Sequence, residues 1–126
     1  MAQGTFGTAI SCIDGRVQGP VTAWVKANGQ VDYVDTVTVP GPDQVLTQGT
    51  PEQIAALRGP VEISVKAHGS QTVVVAGHYD CAAFPADRET HAAAIRAAVN
   101  VVRGWGLPVV VVGLWVNDRW EIEQIA

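Results

Sequence analysis

Apolar residues run along this chain in short blocks, separated by segments whose apolar positions repeat at helical spacing. TFGTAIS (Thr5 to Ser11) is mostly apolar and reads as a buried strand. In GPVTAWVKANG, Val21, Trp24 and Val25 share one helical face; Pro20 suits the first helical position and Gly29 the stop. VDYVDTVTV (Val31 to Val39) alternates polar and β-branched residues, as a strand with one more exposed face does. PGPDQ then breaks regular structure. TPEQIAALRG carries Thr50 as N-cap, Pro51 in the first turn and Gly59 as a stop. PVEISVKAHG repeats that grammar from Pro60 to Gly69 and reads as a second helix, with a strand as the rival reading. TVVVAG (Thr72 to Gly77) has the length of a buried strand. ADRETHAAAIRAAVNVVRGWG is the clearest helix: Ile95, Ala98, Val99 and Val102 fall at i, i+3, i+4 and i+7, and Gly104 ends it. LPVVVVGLWV is another buried strand, ND a tight turn, and RWEIEQI alternates as an antiparallel edge strand would.

Alternating strands and helices, with near-continuous valine runs, predict an α/β fold. The sheet is expected to be mostly parallel, with about five strands: four parallel and one antiparallel at the edge, flanked by helices. The chain has 126 residues and neither repeats nor linkers, which suits a single domain over 1–126.

Composition narrows the function classes. The formal net charge is −4 and no basic cluster offsets it, so neither nucleic acid nor an anionic membrane is expected as partner. The longest apolar run, Leu107 to Val116, contains Pro108 and Gly113 and is too short to span a bilayer. The N-terminus has no basic segment followed by a long apolar one, so a cytoplasmic location is expected and a secretory signal is not.

The candidate chemistry sits at strand ends, where parallel sheets place their sites. Cys12, Asp14 and Arg16 (SCIDGR) lie just past the first strand; His78 and Cys81 (GHYDC) lie just past the third. If those strands are neighbours, the two clusters face each other. Two cysteines are too few for a disulfide scaffold; a single disulfide, free buried thiols or a metal site are the readings. Two thiolates and an imidazole are preferred zinc ligands, and three protein ligands leave an open tetrahedral position, the mark of catalytic zinc. An arginine fork can hold the Asp14 carboxylate in one orientation, to steer a hydroxyl at that position or to occupy it.

CIDGR followed by HYDC resembles the β-class carbonic anhydrases, whose signature is Cys-x-Asp-x-Arg with a later His-x-x-Cys. VEISVKAHGSQTVVVAGHYDC is similar to that family's succession of helix, strand and ligand loop. The resemblance implies a β-carbonic anhydrase-like fold and a Zn2+ site of Cys12, His78 and Cys81, with Asp14 and Arg16 as the catalytic, orienting dyad. It implies reversible hydration of CO2 to bicarbonate by a homodimer or higher homo-oligomer. Carbonyl sulfide or carbon disulfide as substrate, or zinc binding without hydratase activity, are the alternatives. The chain departs from the family pattern after the second strand, where VTVPGPDQV replaces an Arg-Asn-x-Gly stretch.

Other residues attract plainer expectations. Asp80 reads as a solvated or capping residue, and His68 as a contact to a helix C-terminus. His91, in the first turns of the long helix, is a weak candidate for proton transfer. Trp24, Trp105, Trp115 and Trp120 read as core or subunit contacts. GPDQ lines a pocket entrance or merely turns.

Overall fold

The computed structural model describes residues 2–126 and begins its regular structure with strand β1 (Phe6–Ser11) and helix α1 (Gly15–Gly29). Asp14 caps α1, accepting the Arg16 backbone N–H at 2.9 Å. The helix thus begins upstream of Pro20, which lies inside it instead of opening it. An interior proline forfeits one backbone hydrogen bond. The cap and a buried stripe of Val17, Val21 and Val25 offset that loss. Gln30, not Gly29, takes the left-handed conformation that ends α1.

Strand β2 (Tyr33–Thr38) is shorter at both ends than the alternating pattern suggests. PGPDQ does not simply interrupt the chain. Gly41 turns at φ 61, and Pro42 opens a short helix, α2 (Pro42–Gln48). Helix α3 (Pro51–His68) is one element where two were expected, and it is not a strand. Thr50 and Gln53 form a reciprocal capping box at its start. Leu57, Val61, Ser64 and Val65 then make one buried stripe that passes straight through Gly59 and Pro60. Glycine and proline cost a helix roughly 1 and 3 kcal/mol, and burying that continuous stripe against the sheet outweighs them.

Strand β3 (Thr72–His78) carries the predicted valine run one residue further, into His78. Helix α4 (Arg88–Arg103) is capped by Asp87 and buries Ile95, Ala98, Val99 and Val102 as their spacing requires. Strand β4 (Val110–Val116) follows, and only Ile122–Gln124 of the expected edge segment forms strand β5.

The strand order is β2-β1-β3-β4-β5, with the first four strands of the chain parallel and β5 antiparallel at the edge. This is the expected α/β arrangement. Alternation along each strand divides the core into two layers. Ile10, Val73 and Val75 pack beneath α2, α3 and α4, while Ala9, Val74 and Ala76 pack beneath α1. Strands buried on both faces explain the unbroken valine runs. Among the described residues, no helix is long and apolar enough to cross a membrane.

Candidate metal centre

Strands β1 and β3 are parallel neighbours, with Thr8 beside Val73 and Ile10 beside Val75. Their carboxyl ends therefore open on one rim, and the two sequence clusters meet there. One ligand atom each of Cys12, His78 and Cys81 lies within 4.8 Å of the others, and all three residues are buried. Both thiols are free.

The local chain orients each donor. His78 Nδ1 lies 2.7 Å from the Tyr79 carbonyl, so Nδ1 carries the proton and Nε2 presents its lone pair. That Nε2 is buried and has no hydrogen-bond partner. An orphaned buried nitrogen costs about 1–3 kcal/mol, which a cation at that point would recover. Burial pushes the Cys81 thiol above its ordinary pKa, and the adjacent Cys12 adds to the rise. Backbone N–H groups of Phe84 and Ala83 act in the opposite direction. A metal ion reverses the balance, since a coordinating thiol is deprotonated outright. Two sulfurs and one imidazole nitrogen in a buried group are a donor set that fits zinc.

Asp14 stands beside this group without belonging to it. Its Oδ1 accepts Arg16 N at 2.9 Å and Arg16 Nε at 3.0 Å; its Oδ2 accepts the Arg16 terminal nitrogen at 2.7 Å. Chiefly through that side-chain hydrogen bonding, Arg16 holds the carboxyl at a pKa of about 2. Asp14 raises the Arg16 pKa in return.

Two supports of Arg16 escaped the sequence reading. Asp80 is exposed, but it is more than a solvated residue: its side chain and carbonyl each accept from Arg16 at 3.2 Å. Trp120 packs partly buried against the α1-side layer, as expected of a core contact, and the Arg16 guanidinium also lies 4.4 Å above its ring. No local pattern marks either one, because both come to Arg16 from turns that follow other strands. Trp115 is core, as expected, while Trp24 and Trp105 are partly buried against the two layers.

The other histidines are fully engaged. His68 Nδ1 lies 2.6 Å from Asp35 Oδ2, and its ring stacks on Phe6, contacts beyond a helix-end interaction. His91 is buried with both ring nitrogens bonded, one to Asp43 and one to the Phe84 carbonyl, which does not suit a proton shuttle. Asp43 itself comes from the GPDQ stretch and is inside the protein, not at a pocket entrance; Pro40 does line a cleft with Cys12.

The family described as "Putative carbonic anhydrase" matches this chain over residues 2–126. No curated protein matches it. A crystal structure from a study of two tetrameric β-carbonic anhydrases of the filamentous ascomycete Sordaria macrospora is similar at a TM-score of 0.58 and 13% identity. That likeness covers 98% of this chain and 81% of the other, and at such identity it is a likeness of fold. The family match over nearly the whole chain shows that it belongs to the putative carbonic anhydrase family, and the structural likeness shows that its fold is that of the β-carbonic anhydrases.

Proposed function

We propose that the protein is a zinc-dependent lyase that interconverts CO2 and bicarbonate. The observation that carries this reading is the buried Cys12–His78–Cys81 group with the Asp14–Arg16 pair beside it. Cys12 Sγ, His78 Nε2 and Cys81 Sγ would hold the metal and leave its fourth position free. Zinc bound there would make hydroxide available near neutrality, by lowering the pKa of water from 15.7 to about 7.

Asp14 supplies direction. A carboxylate has about four lone-pair sites, and Arg16 fills three of them with N, Nε and a terminal nitrogen. The site left over would accept a hydrogen bond from the reacting hydroxyl and so turn an oxygen lone pair toward the substrate carbon. Kept ionised by Arg16, Asp14 acts as acceptor only. The same grip restrains it from taking the fourth metal position, which a zinc-binding protein without hydratase activity would need.

A cleft of about 380 Å³ opens at Cys12 and Asp14, walled by Ile13, Pro40, Ala82 and Ala83. Apolar walls suit a small uncharged electrophile. That lining also admits carbonyl sulfide or carbon disulfide, the second reading. Ile13 and Tyr79, exposed at 61% and 49%, flank the centre, and together with the tetrameric relative they support a homo-oligomer.

The test is stopped-flow CO2 hydration with protein of measured zinc content. Hydration that depends on zinc, with slower turnover of carbonyl sulfide and carbon disulfide, is expected. Stoichiometric zinc with no CO2 hydration at any pH would remove the first reading, and turnover of a sulfur compound alone would install the second.

A further inference from the structure

A second polar pair lies inside the protein, behind the metal ligands. His91 on α4 and Asp43 on α2 are 48 residues apart, both about 1% exposed at the side chain, and their Nδ1 and Oδ2 atoms are 2.7 Å apart. His91 Nε2 donates to the Phe84 carbonyl at 2.8 Å, and the Phe84 ring packs on the imidazole with centroids 4.4 Å apart. Phe84 lies three residues beyond Cys81 in the same loop, and backbone N–H groups of Phe84 and Ala83 pull the Cys81 thiol pKa down against the effect of burial. Hydrogen bonds therefore run from Asp43 through His91 to the Phe84 carbonyl, in the loop that carries Cys81. The pair also backs the other ligand segment. A Cβ on Gly77, the residue before His78, would lie 2.6 Å from Asp43 Oδ2 and 3.2 Å from His91 Nδ1.

We propose that His91, anchored by Asp43, is a positioning residue for the metal centre: it holds the Phe84 carbonyl and so fixes the loop that carries Cys81. It touches neither metal nor substrate. Groups that hold a ligand's segment in place fix the direction of the ligand atom, and losing such a partner typically weakens metal affinity about 10- to 100-fold. The inference rests on the metal reading above.

Two substitutions at one position separate positioning from bulk packing. In His91→Gln the amide nitrogen stands where Nε2 does and still donates to the Phe84 carbonyl. In His91→Asn the amide stands at the Nδ1 position, faces Asp43, and leaves that carbonyl without a donor. Each variant is titrated with Co2+ against a competing chelator, and the thiolate-to-cobalt absorption band is recorded. His91→Gln should keep wild-type affinity within about threefold and an unshifted band; His91→Asn should lose about tenfold or more, with a shifted band. Equal affinities and bands in the two variants would overturn the proposal. If His91→Asn does not fold, Asp43→Ala takes its place: it frees the ring, so the same loss is expected, and an unchanged affinity and band would overturn the proposal. Failure of the wild-type chain to bind cobalt is a different result, and it counts against the metal reading itself.

Discussion

Arg16 grips both carboxylate oxygens of Asp14, at 2.9 and 3.0 Å on Oδ1 and at 2.7 Å on Oδ2, from only two residues along the chain. The short spacing makes the pair a unit of the α1 N-terminus: one carboxylate caps the helix and lines the cleft it shares with Cys12. Replacing Asp14 by Ala should therefore leave zinc content unchanged and lower kcat for CO2 hydration about a hundredfold or more, the usual scale for a lost orienting or electrostatic group. Metal analysis paired with stopped-flow turnover checks this; unchanged kcat would take the orienting role from Asp14.

The pair has an acid signature. Asp14 is held at about 2, below its ordinary 3.8, mainly by hydrogen bonding from Arg16. A depressed folded-state pKa stabilises the fold above the unfolded value, and that contribution is lost as pH falls toward about 2. Carbon-detected NMR of the Asp14 carboxyl in metal-free protein should show a midpoint near 2 that rises toward 3.8 in Arg16→Gln. A wild-type midpoint near 3.8 would contradict the geometry.

Trp120 should matter to turnover although it touches no ligand. Its ring lies 4.4 Å beneath the Arg16 guanidinium, at a partly exposed position where a cation–π contact contributes about 0.5–1 kcal/mol. Trp120→Leu should lower kcat about two- to fivefold with zinc retained. Asp80→Ala, which removes an exposed ion pair, should do less. A larger effect from Asp80 would reverse that order of importance.

What was legible in the sequence depended on range. The ligand clusters were, because each is a short motif at the end of an apolar strand, and β1 and β3 pair as neighbours. The α4 stripe was, because Ile95, Ala98, Val99 and Val102 repeat within one helix. His91 lies four residues before Ile95 on that same stripe, a signal of burial that helix-end reasoning passes over. Its partner Asp43 carries no such signal, since an acidic residue after a proline suits any helix start. Pro20 and the Gly59–Pro60 step misled for one reason: local propensity marks them as boundaries, and valine stripes packed on the sheet override them.

Close packing around the buried pair makes Gly77 a sensitive position. An added methyl would meet Asp43 Oδ2 at 2.6 Å and Ile95 Cδ1 at 3.0 Å. Gly77→Ala should reduce the unfolding free energy by about 1–3 kcal/mol, measured by urea denaturation of the metal-free chain. No loss would mean that α2 and α4 can move off β3, and that the buried pair is not rigid.

Zinc-edge X-ray absorption on the metal-loaded protein at neutral pH tests the central claim most directly. The account predicts one zinc per chain with two sulfur neighbours near 2.3 Å, one imidazole nitrogen near 2.0–2.1 Å and one exchangeable oxygen, the spectrum unchanged in Asp14→Ala. An oxygen neighbour that disappears in Asp14→Ala would place the carboxylate on the metal, and a chain that holds no zinc would contradict the account outright.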